Sequence, residues 1–107
     1  MQFPVALYPA SRGGRHARLA GTLSLEDRCL YLIDPAGKRW LPLFRAPGTV
    51  WDGAARTLTL GSRSFRPGDS IQLSGQPLGR VEDTSQWVHR PSGCDISAVW
   101  LVTMDLT

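Results

Sequence analysis

The residues of this chain whose types could carry chemistry are its two cysteines and its two histidines. Cys29 begins a dense apolar stretch, and Cys94 lies 65 positions later, just before the last apolar stretch. The pair has two interpretations. The cysteines are either small buried hydrophobic residues or a disulfide that ties the second strand to the closing strand. The sequence leaves both open and favours the disulfide if the protein is exported.

A zinc site or a thiol enzyme would need His16 or His89 beside one of the cysteines. Structural zinc sites contain closely spaced ligand pairs such as Cys-x-x-Cys, and the sequence has no such pair. His89 is near Cys94 in the sequence, but it stands in an irregular stretch with no residue to orient it as a base. We therefore predict no metal, no cofactor and no catalytic residues.

The carboxylates fit turns better than acid–base catalysis. Aspartate side chains in turns accept hydrogen bonds from their own backbone, which is a sufficient reason for their presence there. The aspartates in predicted turns are Asp27, Asp34, Asp52, Asp69 and Asp83. Gly13-Gly14 lacks the lysine and the following helix of a phosphate-binding loop.

Arginines alternate with large aromatic residues in the third predicted strand and in a late irregular stretch. The candidate ligand-binding residues are Arg39, Trp40, Phe44, Arg45, Trp87 and Arg90. Rings that stack on bases and guanidinium groups that contact phosphates would suit single-stranded nucleic acid. The same set would suit a sugar or a protein partner. Alternatively, the large rings fill the core and the arginines pack over its edges.

Apolar residues that alternate with polar ones predict short strands with one buried face. The predicted strands cover Leu19–Leu25, Cys29–Ile33, Arg39–Phe44, Thr49–Trp51, Leu58–Gly75 and Ile96–Met104. The fifth range is predicted as a hairpin that turns at Arg66-Pro67-Gly68-Asp69. In it we expect Leu58, Leu60, Ile71 and Leu73 to be buried and Gln72 and Ser74 to be exposed. Gly21 in the middle of the first strand indicates a bend where a barrel strand turns a corner.

Length and composition predict a single all-β domain. The chain has 107 residues, with 11 glycines and 8 prolines spread along it, which favours many short strands joined by tight turns. We predict a small antiparallel barrel of six or seven strands, with little or no helix. Residues 1–16 are a flexible arm or an edge strand, residues 17–107 form the barrel domain, and residues 76–93 form an irregular loop.

The charge and hydropathy of the chain limit its partners only weakly. The net charge is +3 and Lys38 is the sole lysine. No apolar run reaches the length of about 18 residues that a membrane-spanning helix needs. The N-terminus lacks the pattern of a secretion signal, which predicts a cytoplasmic protein, or an envelope protein if a signal has been removed. The sequence makes no prediction of oligomeric state.

Three features together resemble the OB-fold barrels. The first strand has a mid-strand glycine in Leu19-Ala20-Gly21-Thr22-Leu23, and two predicted hairpins follow it closely. The third feature is Arg66-Pro67-Gly68-Asp69-Ser70-Ile71-Gln72-Leu73-Ser74-Gly75, which is similar to the Gly-Asp-x-Val-x-Val-x-Gly strand of many such barrels. The resemblance covers about residues 19–75 and departs from the family by having no recognisable helix after the third strand. The chain also resembles small uncharacterised bacterial proteins that pair a Cys-Leu strand with a late Gly-Cys and a closing tryptophan strand.

The resemblance implies a binding module rather than an enzyme. OB-fold barrels bind oligonucleotides, oligosaccharides or proteins on the barrel face and the adjoining loops. On that basis we expect a non-catalytic module for single-stranded nucleic acid or another extended ligand, bound by the third strand and the 76–93 loop. The alternative is a protein-interaction or structural domain, such as an envelope or assembly component, without nucleic-acid binding.

Overall fold

Nine short strands and no helix make up the described part of the computed structural model, which covers residues 3–9 and 17–105. The strands are β1 (Ala6–Tyr8), β2 (Ala17–Glu26), β3 (Cys29–Ile33), β4 (Arg39–Arg45), β5 (Thr49–Asp52), β6 (Thr57–Leu60), β7 (Arg63–Phe65), β8 (Ser70–Gly79) and β9 (Val99–Asp105). The predicted all-β class is confirmed, with more strands than the predicted six or seven. No helix within these ranges is long and apolar enough to cross a membrane.

Five of these strands close into a barrel. β2 pairs antiparallel with both β3 and β8, β3 pairs antiparallel with β4, and β8 pairs antiparallel with β9. A parallel pairing of β4 with β9 completes the ring, with Leu41 to Leu43 beside Val99 to Leu101. β1 also runs parallel to β4, so the sheet is mixed and the prediction of a purely antiparallel barrel is corrected. The closed five-stranded barrel is consistent with an OB-like barrel.

Gly21 lies where β2 changes partners. Residues Ala17 to Thr22 pair with β8, and residues Thr22 to Glu26 pair with β3. A Cβ atom added to Gly21 would collide with the carbonyl oxygen of Ile33. The glycine therefore allows the backbone of β3 to approach the strand at the point where β2 passes from one neighbour to the other, as its place in the sequence predicts.

β5, β6 and β7 form a second, three-stranded sheet between the third and fourth barrel strands of the chain. Leu58 of β6 lies opposite Trp51 of β5 and Phe65 of β7. Leu58 and Phe65 are buried in the main hydrophobic core, and the half-buried Trp51 packs against it. The small sheet therefore attaches to the barrel through apolar side chains on one of its faces.

The predicted pairing of Leu58–Leu60 with the strand around Leu73 is wrong. The chain turns at Gly61 into β7, which pairs with β6 and which the sequence did not indicate. β8 belongs to the barrel, where it pairs with β2 and β9. The turn predicted at residues 66–69 does form. The amide N–H of Asp69 donates to the carbonyl oxygen of Arg66 at 2.9 Å.

Most of the predicted burial pattern of this stretch is observed. Leu58, Ile71 and Leu73 are buried, Leu60 is half-buried and Gln72 is exposed. Ser74 is buried at 4% exposure, which corrects the prediction that it is exposed. Here β8 lies between β2 and β9, and the hydroxyl of Thr103 on β9 donates to Oγ of Ser74 at 3.4 Å.

The N-terminal residues that are described form part of the fold. β1 pairs with β4, and its three residues are buried. The backbone N–H of Leu7 also donates to the carbonyl oxygen of His89 at 3.0 Å, so β1 has a neighbour on each side. Of the two predictions for residues 1–16, the strand therefore applies to Ala6–Tyr8. Gly13-Gly14 and His16 lie outside the described residues.

Candidate ligand-binding site

Two of the six predicted site residues lie in the core of the barrel. Phe44 is 1% exposed and Trp40 is 9% exposed. The indole N–H of Trp40 donates to Oδ2 of Asp34 at 3.1 Å, and the Trp40 ring meets the Trp100 ring edge-on with their centroids 5.6 Å apart. Neither Trp40 nor Phe44 can stack on a ligand. For these two residues the alternative interpretation, that large rings fill the core, is the one that applies.

The other four predicted residues do not form one patch. Arg39 and Arg45 are both exposed, but they stand at opposite ends of the seven-residue strand β4, which separates them by about 20 Å. Arg90 is exposed and donates to Oγ1 of Thr84 at 3.2 Å. Trp87 is half-buried and packs against a second apolar cluster outside the barrel.

That second cluster covers the outer face of β3 and β4, where the predicted site would lie. Residues 80–98, which we call the covering segment, follow β8 and hold no strand. Side chains of β3, β4 and β9 on this face are buried beneath it: Tyr31, Leu41, Leu43 and Val99. The segment contributes Val81, Trp87, Cys94 and Ile96. The irregular loop predicted at 76–93 therefore begins later, because β8 continues to Gly79, and it acts as a cover rather than as an open binding loop.

A disulfide between Cys29 and Cys94 fastens the covering segment to the barrel. Cys29 begins β3, and Cys94 lies near the end of the segment, with 5.7 Å between their Cα atoms. Of the two interpretations that the sequence left open, the structure has the bridge. Neither cysteine is therefore a thiol that could act as a nucleophile or a metal ligand.

Arg39 forms a second fastening at the same place. Its guanidinium group lies 3.0 Å from Oε1 of Glu26 on β2 and 2.9 Å from Oδ2 of Asp95 in the covering segment. It also lies over the ring of Tyr31, whose hydroxyl accepts a hydrogen bond from the backbone N–H of Asp95 at 2.8 Å. Arg39 thus links barrel and segment and has its charge balanced by two carboxylates, which leaves it poorly placed to bind an external anion.

The carboxylates of this fastening are held in their ionised forms. Hydrogen bonds from Ser97 and then Arg39 lower the pKa of Asp95 well below its ordinary value. Hydrogen bonds from Ser24 and then Arg39 lower the pKa of Glu26. The same two carboxylates raise the pKa of Arg39. All three groups are therefore charged at neutral pH.

The predicted role of the turn aspartates is observed at four of them. Their carboxylates accept hydrogen bonds from nearby backbone N–H groups in Asp34, Asp52, Asp69 and Asp83. Within residues 3–9 and 17–105, no group of three or more histidine, cysteine, aspartate or glutamate residues could hold a metal ion.

A pocket of about 480 Å³ opens at one end of the barrel, between the turn that joins β2 to β3 and the turn that joins β5 to β6. We call it the end pocket. Its described lining is apolar apart from two guanidinium groups: Pro4, Leu25, Arg28, Trp51, Gly53, Ala54 and Arg56. A neighbouring pocket of about 300 Å³ is lined by Arg56, Arg66 and Pro67, so Arg56 is common to both.

None of the guanidinium groups that line the two pockets forms an ion pair with a carboxylate among the described side chains. The ion pairs found among the described residues involve Arg39 and Arg80 instead. The nearest carboxylates in sequence are Asp27, Asp52 and Asp69. Asp52 accepts the backbone N–H groups of Ala54 and Ala55, and Asp69 accepts the backbone N–H of Arg66 at 2.9 Å. Arg28, Arg56 and Arg66, which we call the basic end, therefore combine positive charge with an aromatic ring, Trp51.

The sequence analysis missed this site because its residues come from three separate turns. Arg28 and Arg56 each stand next to ordinary turn residues, and nothing in their spacing indicates that they line one pocket. A signal appears in the backbone. Arg28 and Arg56 have positive φ angles of 68° and 51°, which among non-glycine residues of the described ranges are shared only with Asp27. Residues other than glycine rarely adopt this backbone conformation.

Comparisons with known proteins do not identify the chain. No protein-family model, curated protein or solved structure matches it.

Proposed function

We propose that this chain is a non-catalytic binding module on an OB-like barrel, and that it binds an extended anionic ligand at its basic end. The observation that carries the proposal is the grouping of Arg28, Arg56 and Arg66 beside Trp51, with guanidinium groups that form no ion pair with a carboxylate among the described side chains. Planar guanidinium groups suit phosphate and carboxylate groups, and the half-buried ring of Trp51, which lines the end pocket, offers a surface for stacking. Single-stranded nucleic acid combines both features.

The surface on which OB-fold barrels usually bind their ligands is covered in this chain, which favours the basic end as the binding surface. Those barrels bind ligands on the face of their second and third strands, with the adjoining loops. The equivalent strands here are β3 and β4, whose outer face is buried beneath the covering segment. An extended ligand would therefore meet the module at another surface, and the basic end is a pocketed, positively charged one.

The test is the binding of oligothymidylate by the oxidised full chain, followed by fluorescence anisotropy over a range of salt concentrations. Binding that uses three phosphate contacts should weaken with salt with a log–log slope of about −2. Inorganic polyphosphate should compete, because charge supplies most of the affinity. Absence of binding to either polyanion at low salt would overturn the proposal.

Two variants that each remove one arginine charge test whether the ligand binds at the basic end. Arg66→Gln should reduce the slope by about 0.7, the effect of one phosphate contact on a single strand. Arg18→Gln removes the same charge from β2 at a position five residues before Leu23, which bonds the turn that carries Arg66, and should leave binding unchanged because Arg18 lines neither pocket. Equal effects of the two variants would show that net charge, and not the basic end, controls binding.

A second candidate function is favoured by the disulfide. Structural disulfides persist in oxidising compartments, which suits a protein-interaction or structural domain of the cell envelope. Under this alternative the basic end would bind an acidic protein surface and would ignore oligonucleotides. The oligothymidylate titration separates the two candidates, and thiol titration of protein from its native compartment would report whether the bridge forms there.

A further inference from the structure

We propose that the end pocket is a subsite for a single nucleotide, with the base stacked on Trp51 and the phosphate held between Arg28 and Arg56. The inference rests on the proposed function, and it adds that a free nucleoside monophosphate binds here without the rest of a polymer. The site is separate from the β3–β4 face that OB-fold barrels use for their ligands.

The size and lining of the pocket fit a flat ring that carries a phosphate. Its volume of about 480 Å³ lies within the range of about 300–1,000 Å³ found for small-molecule sites. Leu25 and Trp51 provide an apolar wall, and Arg28 and Arg56 provide the charge. The described lining has no side chain that can accept a hydrogen bond, since guanidinium and indole groups only donate.

The two arginines reach the pocket from turns that are distant in sequence. Arg28 belongs to the two-residue turn between β2 and β3, and Arg56 immediately precedes β6. Each turn is anchored by the strands on either side of it, and both arginine side chains line the same pocket. A phosphate between them would receive donors from two directions, which is the arrangement that favours charge-assisted hydrogen bonds.

The backbone conformation supports a role for these two side chains. Arg28 and Arg56 occupy the left-handed region, where a side chain is disfavoured and glycine is the usual residue. The turn at Asp27 and Arg28 has positive φ at both positions, a geometry for which the second residue is ordinarily glycine. Arginine at both places is unfavourable for the turn itself, which fits a role for the guanidinium groups in the pocket that they line.

The neighbouring pocket gives the subsite a continuation. Arg56 lines both pockets, and Arg66 lines the second one. A strand that continues from the end pocket into its neighbour would bring a later phosphate to Arg66. The end pocket therefore recognises a single nucleotide, and Arg66 adds affinity for an oligonucleotide.

The experiment uses the oxidised full chain and thymidine monophosphate as the probe, with amide and indole NMR shifts as the readout. We expect saturable shifts at Arg28, Ala54 and Arg56 and at the indole N–H of Trp51. Ribose 5-phosphate, which lacks the base, should shift the arginine amides but not the indole. Thymidine, which lacks the phosphate, should bind at least tenfold more weakly than its monophosphate.

Glycine variants test the arginines without weakening the turns. Arg28→Gly and Arg56→Gly remove the guanidinium groups and place glycine in a conformation that it prefers, so the spectra should remain those of the folded protein. Each should weaken binding of thymidine monophosphate at least tenfold. Arg18→Gln, with the same loss of charge outside both pockets, should bind as the wild type does.

The possible results distinguish this inference from the proposed function. If oligothymidylate binds while thymidine monophosphate causes no shifts at the end pocket, the subsite is wrong and the polyanion module stands. Unaltered binding by both glycine variants leads to the same conclusion. If neither ligand binds at low salt, the proposed function and the subsite both fail.

Discussion

Arg28 and Arg56 illustrate how a single residue can oppose its local conformation. A left-handed conformation costs a residue with a side chain about 1–2 kcal/mol relative to glycine. The chain places glycine at several other left-handed positions, including Gly37, Gly48 and Gly61. The disfavoured choice at two turns that line one pocket is the kind of local conflict that occurs at functional sites.

The burial of Leu73 makes a testable contribution to stability. Leu73 is 0% exposed on β8 and lies opposite Leu19 of β2 in the main core. Leu73→Ala should therefore lower the free energy of unfolding by about 2–5 kcal/mol, through lost burial and the cavity that remains. Chemical denaturation followed by tryptophan fluorescence measures the change.

Leu78→Ala is the matched control, because it makes the same substitution on the same strand. Leu78 is 39% exposed, and a surface substitution of this kind usually changes stability by less than about 0.5 kcal/mol. If the two variants are equally stable, Leu73 does not lie in a packed core and the assignment of strand faces is wrong.

At the scale of elements, the sequence predicts strands with strong apolar patterns and misses those without them. Cys29–Ile33 is predicted with its observed bounds, since five consecutive apolar residues are enclosed by turns. β7 is missed because two of its three residues are exposed, so Arg63–Phe65 has no pattern to detect. The pairing of β8 with β2 and β9 is a tertiary feature, and adjacency in sequence wrongly favoured β6 as its partner.

The fastening by Arg39 should make stability depend on acid pH. The pKa values of Asp95 and Glu26 are lowered in the folded protein, so the stabilisation is complete above their unfolded pKa values of about 4 and is lost as the pH falls below them. Arg39→Met should lower stability at pH 7 by less than about 1 kcal/mol, because these ion pairs are partly exposed. It should also flatten the loss between about pH 5 and pH 2 in thermal melts.

Arg80→Met serves as the control for this effect. Arg80 pairs with Glu82, and both side chains are largely exposed, at 60% and 77%. Solvent screens such a pair, so the variant should reproduce the wild-type pH profile. Identical profiles for Arg39→Met and Arg80→Met would mean that the Arg39 ion pairs do not contribute to the stability of the fold.

At the scale of the whole molecule, the candidate site depends on how distant turns meet, which the sequence does not encode locally. The predicted site followed the linear alternation of arginine with aromatic residues, and β4 placed Trp40 and Phe44 inside the barrel. The end pocket instead collects Arg28, Trp51 and Arg56 through barrel closure and the docking of the small sheet. No spacing rule along the chain would select these three residues.

The molecule also contains two cores that differ in how they are held. The main core fills the barrel and extends beneath the small sheet, and its strands are paired with one another. The outer cluster lies between the barrel and the covering segment, which holds no strand. Segments with little regular pairing open more readily than barrel strands do. The disulfide therefore stabilises the part of the fold that most needs an additional constraint.

The double variant Cys29→Ala/Cys94→Ala should consequently lose stability unevenly. Removing a bond that spans 65 residues should lower the free energy of unfolding by about 4 kcal/mol. Native-state hydrogen exchange should locate the early loss of protection at Val81 and Val88, whose N–H groups bond to Ile96 and Leu7. Amides between β2 and β8 should stay protected until global unfolding. Wild-type protein in reductant is the control, since it lacks the bond but keeps both sulfur atoms. Simultaneous loss of protection across the barrel and the segment would show that the two cores open as one unit.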